Sequence, residues 1–158
     1  MKKTAYYDSP WGTGAVAESE EGVVKVILPK KTKQEAKAAI LTDVPDAVFV
    51  KSLPAAKLLS LYFNGKKTDF SSFHLDPSAA TPKQKKVWAE TRKIPSGETR
   101  TYGHIAEKTG LRPRAVGQAL KANHTPIIVP CHRVVAAKGL GGYNLGMMWK
   151  KRLLRLEH

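Results

Sequence analysis

The chain has 158 residues, a single cysteine, 42% hydrophobic and 25% charged residues, and a formal net charge of +14. That length suits one domain or two small ones with an ordinary core. No apolar run reaches the eighteen residues of a membrane span, and one cysteine excludes an internal disulfide or a zinc site of several thiolates. The charge is uneven: residues 1–81 hold 11 Lys/Arg against 9 Asp/Glu, a balance of +2, and residues 82–158 hold 16 against 4, a balance of +12. Such asymmetry points to a polyanion partner for the second half, and to DNA or RNA before an acidic membrane surface, because no basic amphipathic anchor stands out.

Met1 to Asp8 has no apolar stretch behind its lysines, so no secretory signal is expected and a reducing cytosol is the default compartment. Residues 4–28 read as a β-meander. Strand-like runs at Thr4–Tyr7, Thr13–Ala17 and Val23–Leu28 are separated by the turn sequences Ser9-Pro10-Trp11-Gly12 and Ser19-Glu20-Glu21-Gly22. Lys33 to Leu41 has helix-forming composition, Ala47 to Val50 reads as a short extra strand, and Leu53 to Phe63 as a helix that Asn64-Gly65 stops. None of these residues carries obvious chemistry.

Lys66 to Pro82 is polar and turn-rich and reads as a linker or boundary. Thr81-Pro82 then reads as an N-cap with proline at the first helical position, opening a helix through Val87-Trp88 to about Arg92. Thr101 caps a short helix from Tyr102 to Lys108, Thr109-Gly110-Leu111 turns the chain, and Arg112-Pro113 opens a second helix over Arg114–Ala122. A short helix, a glycine turn and a basic second helix carry the signature of a helix-turn-helix, with an ordinary packed helix pair as the weaker competing reading. On the second helix Val116, Ala119 and Leu120 form one apolar stripe. Arg114, Gly117, Gln118 and Lys121 lie on the other face. A glycine inside a helix costs about 1 kcal/mol relative to alanine, so Gly117 suggests close approach by another backbone, such as a DNA strand.

Cys131 lies in Ile127-Ile128-Val129-Pro130-Cys131-His132-Arg133-Val134-Val135. Cationic neighbours favour a thiolate, which suits a nucleophile with a depressed pKa. A buried structural thiol is the competing reading. Gly139-Leu140-Gly141-Gly142-Tyr143-Asn144-Leu145-Gly146 reads as a flexible loop whose glycines let backbone approach a ligand. The last helix, from about Met147 to Glu157, has Met148, Leu153, Leu154 and Leu156 as its apolar residues and Lys150, Lys151, Arg152 and Arg155 as its basic ones. Glu157 is the only acidic residue of the last fifty.

Pro130-Cys131-His132-Arg133-Val134-Val135 resembles the active-site motif of the methylated-DNA–protein-cysteine methyltransferases, the O6-alkylguanine-DNA alkyltransferases. The resemblance extends over roughly residues 80–157, through Ile94-Pro95-x-Gly97, Thr101-Tyr102, Arg114-Ala115-Val116-Gly117, Asn123, Pro126-Ile127, Gly141-Gly142-Tyr143 and Leu153-Leu154-x-x-Glu157. Over the first 75 residues it is weak and rests mainly on Ser9-Pro10-Trp11-Gly12.

The resemblance implies a ribonuclease-H-like α/β scaffold with a small sheet over residues 1–76. Residues 77–158 would be a mainly α DNA-binding and alkyl-acceptor domain with a winged-helix-like helix-turn-helix. It implies a monomer acting on duplex DNA containing O6-alkylguanine, with O4-methylthymine a further candidate, and with no cofactor and no metal. Cys131 would take the alkyl group irreversibly, one reaction per molecule. His132 would accept the thiol proton through a water, Glu157 would hold that histidine, and Asn123 would brace the turn. Tyr102 would bond guanine N3 and crowd the phosphate. Arg114 would fill the stack left by the flipped nucleotide, while Ala115, Gly117, Gln118 and Lys121 face the DNA minor groove. Pro126, Val134, Gly142, Tyr143 and Asn144, with Tyr102, would line the pocket.

Two positions depart from the family. Some members carry serine where this chain has Asn144, so there only a backbone contact transfers. Arg112-Pro113 is bulkier and more charged than the small residues of some relatives. Three other readings compete. A non-catalytic alkyltransferase-like damage-binding protein would lack the acceptor cysteine; a helix-turn-helix regulator leaves Cys131, His132 and Glu157 unexplained; a cysteine protease would need a substrate-cleft signature that is absent.

Overall fold

The computed structural model describes residues 1–158 and divides into two compact units, Met1–Ser78 and Ala79–His158. The first is a four-stranded sheet of order β3-β2-β1-β4, built from β1 (Lys3–Ser9), β2 (Gly12–Ser19), β3 (Gly22–Lys30) and β4 (Val48–Phe49). β1 to β3 form an antiparallel meander and β4 adds parallel to β1. The expected turn chemistry makes the first hairpin. Ser9 Oγ donates to the Gly12 carbonyl at 2.9 Å and accepts from Trp11 N–H at 3.1 Å. Gly12 sits at φ 122°, where a Cβ would collide with the Lys30 carbonyl.

Alternation along the strands gives the sheet two apolar faces. α1 (Lys33–Asp43), capped by Thr32, covers one with Ile40 and Val44 against Ala15, Ala17 and Ile27. The other face carries an aromatic cluster on α2 (Pro54–Phe63). Phe63 stacks on Tyr7 at 5.7 Å and meets Trp11 and Tyr62 edge-on.

The stretch read as a linker is part of this unit through Asp76. Val23 N–H donates to the His74 carbonyl at 2.8 Å and Asp76 N–H to the Val23 carbonyl at 2.9 Å. Ser19 donates to the Asp76 carboxylate. These bonds pair Leu75 with the free edge of β3. Polar composition hid them because edge pairing uses backbone groups.

The second unit is mainly helical. α3 (Pro82–Thr91) begins with a capping box between Thr81 and Gln84 and Pro82 in its first turn. α4 (Tyr102–Thr109) is capped by Thr101 and ends at Gly110, and α5 (Pro113–Lys121) follows after Arg112. The stripe expected from the sequence makes this core: Val116, Ala119 and Leu120 are buried with Ile105, Ala106, Val87 and Trp88. Trp88 Nε1–H donates to the Ala119 carbonyl at 2.8 Å, tying α3 to α5. β5 (Arg100–Thr101) and β6 (Val134–Val135) form a small parallel pair, and α6 (Met147–Leu156) closes the unit. No helix is long and apolar enough to cross a membrane.

Candidate active site

The site begins with a turn that the backbone does not adopt readily. Ile127, buried and β-branched, has φ 76°. Such a residue in left-handed conformation costs of order 1–3 kcal/mol and persists only where its surroundings over-determine it. Here they do. Val129 N–H donates to the Thr125 carbonyl at 2.9 Å. Asn123 Oδ1 accepts from Thr125 N–H at 3.0 Å and from its hydroxyl at 3.3 Å. Asn123 Nδ2 donates to the Val129 carbonyl at 3.0 Å and reaches Cys131 Sγ at 3.1 Å. One buried amide therefore braces both the turn and the thiol.

Cys131 to Arg133 then form one 3-10 turn, in which successive side chains point about 120° apart. Cys131 consequently faces a different partner from the two residues that follow it. His132 Nε2 lies 2.7 Å from Glu157 Oε2. Arg133 grips the same carboxylate with Nε at 2.9 Å and Nη2 at 2.8 Å, and donates from Nη1 to the Ile94 carbonyl at 2.7 Å.

The protonation states follow. Burial raises the Glu157 pKa, but hydrogen bonds from His132 and Arg133, and their charges, outweigh it and hold the carboxyl well below the usual carboxylate range. Burial lowers the His132 pKa further than Glu157 raises it, so the imidazole is neutral near pH 7. With Glu157 ionised, the imidazole proton sits on Nε2. Nδ1 is buried, has no hydrogen-bond partner in the protein, and is left as an acceptor.

The expectation of a thiol depressed by the adjacent His132 and Arg133 is corrected here. Both side chains face Glu157, and burial pushes the Cys131 thiol up; hydrogen bonds from Asn123 and Tyr143 and the charge of Lys150 oppose that rise. Sequence adjacency misled because the tight turn separates the side chains.

Lys150, counted in the sequence only among the basic residues of the last helix, is fully buried. Its ammonium donates to the Val134 carbonyl at 2.7 Å and the Gly142 carbonyl at 2.8 Å. Burial lowers its pKa to about 8, against an upward pull from the Cys131 thiolate. A signal existed in the sequence: Lys150, Leu153 and Glu157 are spaced by three and four, on one helix face.

The glycine loop read as flexible is pinned. Gly141, at φ 73°, leaves room for the Tyr102 ring, which a Cβ would meet at 2.9 Å. The Tyr102 hydroxyl donates to the Gly142 carbonyl at 3.4 Å. Asn144 Nδ2 donates to the Lys121 carbonyl at 3.0 Å.

Cys131, Tyr102, Gly117, Leu120, Lys121, Gly142, Tyr143 and Asn144 line a cavity of about 270 Å³. Pro126 and Val134, also expected in its wall, are buried in the braced turn and in β6 and are not among these lining residues. Leu120 was read only as core, and it joins the lining. Arg114, Gln118 and Lys121 are exposed on α5 and Ala115 and Gly117 partly so. A Cβ on Gly117 would meet nothing within 4 Å, so no protein packing demands that glycine.

Comparison with known proteins agrees with both units. Residues 2–77 match the ribonuclease-like domain of 6-O-methylguanine DNA methyltransferase, and residues 82–158 match its DNA-binding domain. A methylated-DNA–protein-cysteine methyltransferase of Metallosphaera sedula is 38% identical over 157 residues, 99% of this chain and 94% of that protein. The crystal structure of Mycobacterium tuberculosis OGT in complex with DNA has a TM-score of 0.78 at 34% identity, covering 98% of this chain and 92% of the other. The O6-methylguanine-DNA methyltransferase of Pyrococcus kodakaraensis has a TM-score of 0.79 at 27% identity, covering 99% of both chains.

The fold is that of a methyltransferase whose ribonuclease-like unit precedes a DNA-binding one. The chain belongs to the methylated-DNA–protein-cysteine methyltransferase family.

Proposed function

We propose that this protein repairs duplex DNA by moving the alkyl group of O6-methylguanine onto Cys131 in one in-line displacement, after the nucleotide has been flipped into the cavity. The observation that carries the reading is a buried thiol in the wall of that cavity, between the exposed face of α5 and a buried His132–Glu157 pair. The target atom lies inside the base stack, so attack along the O–C axis requires extrusion. Arg114, exposed near the start of α5, is suited to fill the gap. Gly117 leaves the helix surface open where a strand or base must come close. The +12 balance of residues 82–158 supplies sequence-independent, salt-dependent affinity for phosphates.

In the displacement the Cys131 thiol proton passes to the free Nδ1 of His132, by way of a water. The resulting imidazolium is stabilised by Glu157, whose own charge Arg133 partly balances. The Sγ–C bond forms as the C–O6 bond breaks, and the departing guanine takes a proton at N3 from Tyr102, which His132 replaces. Atoms and charge balance without a cofactor. The product is a thioether, which water does not cleave, so each molecule reacts once. Burial of Cys131 fits this chemistry: a thiol raised by its surroundings stays protonated and unreactive until a base and a substrate are aligned.

Intact-mass measurement after incubation with a duplex carrying one O6-methylguanine tests the proposal. One methyl is expected on Cys131, with no second turnover and no reaction in Cys131→Ser, which still binds DNA. Repeated turnover, or label elsewhere, would overturn it. Arg114→Ala is expected to slow the duplex reaction far more than reaction with free O6-alkylguanine base; equal losses would remove the flipping role.

A further inference from the structure

The cavity has two facing walls. Gly142, Tyr143 and Asn144 form one, from the loop between β6 and α6; Gly117, Leu120 and Lys121 form the other, from α5. At its base the loop is held by the Gly142 carbonyl, which accepts from buried Lys150 and from Tyr102. Two residues further on, the Asn144 amide crosses to the facing wall and donates to the Lys121 carbonyl at 3.0 Å. Lys121 is the last residue of α5, where helix carbonyls lack an intrahelical partner. The bond therefore satisfies an orphan acceptor and closes the cavity with one contact.

Its two residues differ from the Lys150 anchor in one decisive respect: Asn144 and Lys121 are exposed, whereas Lys150 is fully buried. Breaking the Lys150 bonds strands polar groups away from water. Breaking the Asn144 bond does not, because water replaces each partner. The wall is thus fixed at Gly142 and releasable at Asn144. A serine at the same position has its hydroxyl one bond nearer the backbone and does not span the gap.

We propose that Asn144 is a specificity-determining latch: bonded to the end of α5 it sets the width of the cavity, favouring a guanine with a small O6 substituent over one with a bulky group. The inference rests on the proposed function, since it concerns which alkyl group that same site accepts. Tyr143, between the fixed and releasable points, lines the cavity together with the thiol, so release widens the cavity where the thiol stands.

The test compares wild type with Asn144→Ser and Asn144→Asp; the aspartate keeps the length but removes the donor. Duplexes carry O6-methylguanine or O6-benzylguanine at the same position, and transfer rates are read from intact mass. Both variants are expected to raise the benzyl-to-methyl rate ratio roughly fivefold, the factor set by one ordinary net hydrogen bond. Backbone amides of residues 142–146 are expected to exchange faster in both. An unchanged or lowered ratio in both variants overturns the latch, and so does unaltered exchange, while methyl transfer by the wild type still stands. If the wild type transfers no methyl group, the proposed function itself fails.

Discussion

The two units bury different chemistry. In the first, Thr4 is the one buried polar residue, and its hydroxyl simply donates to the Val16 carbonyl. In the second, Thr91, Thr109, Asn123, Thr125, His132 and Lys150 are all buried. Thr91 and Thr109 bond back to their own helices; the other four gather around Cys131, with the Glu157 carboxylate 2% exposed beside them. Burying an ionised group costs several kcal/mol unless partners compensate. The first unit is therefore built for stability, and the second gives up stability to hold polar groups where a reaction needs them.

The sharpest way to break this contrast is to change each unit at its centre. His132→Gln is expected to slow methyl transfer by about 10²–10⁴-fold, the usual contribution of a positioned base, measured by single-turnover mass kinetics. A loss below tenfold would assign the buried polar cluster to structure alone. Phe63→Ala, in the aromatic cluster of the first unit, is expected to cost about 3–5 kcal/mol of stability in denaturant unfolding. The rate per folded molecule should hold; a matching fall in that rate would erase the division of labour.

The smallest expected effect concerns Lys150 and is a matter of pH. Its folded-state pKa is lowered to about 8, below the roughly 10.4 of an unfolded lysine. Between those values the unfolded chain binds more protons, so this group makes stability rise with pH. Below about 8 the penalty for the buried charge is fully present. Lys150→Met should lack that rise, so the wild-type minus variant difference in unfolding free energy should increase between pH 8 and pH 10. A constant difference would mean that the ammonium is not held at a cost.

Much of the architecture is legible along the chain because it is local. Thr81-Pro82, Thr101 and the Ser9-to-Gly12 turn carry their hydrogen-bonding instructions within three or four residues, and helix and turn appear where those signals stand. The α5 stripe of Val116, Ala119 and Leu120 is legible for the same reason. The edge pairing of Leu75 is not, because it depends on backbone groups of a strand some fifty residues away.

The site divides along the same line. By itself the sequence determined the caps and turns, the meander and the basic second half, and its resemblance to a known family implied a candidate nucleophile, base, orienter and brace at Cys131, His132, Glu157 and Asn123. Only the tertiary structure decided what each of them faces. It set His132 and Arg133 against Glu157, buried Lys150 against two carbonyls, and joined Asn144 to the end of α5. The physical reason is that periodicity tells which residues share a face but not what lies opposite it. Burial and charge, which set every protonation state in the site, come from residues far apart in the chain that meet only when it folds.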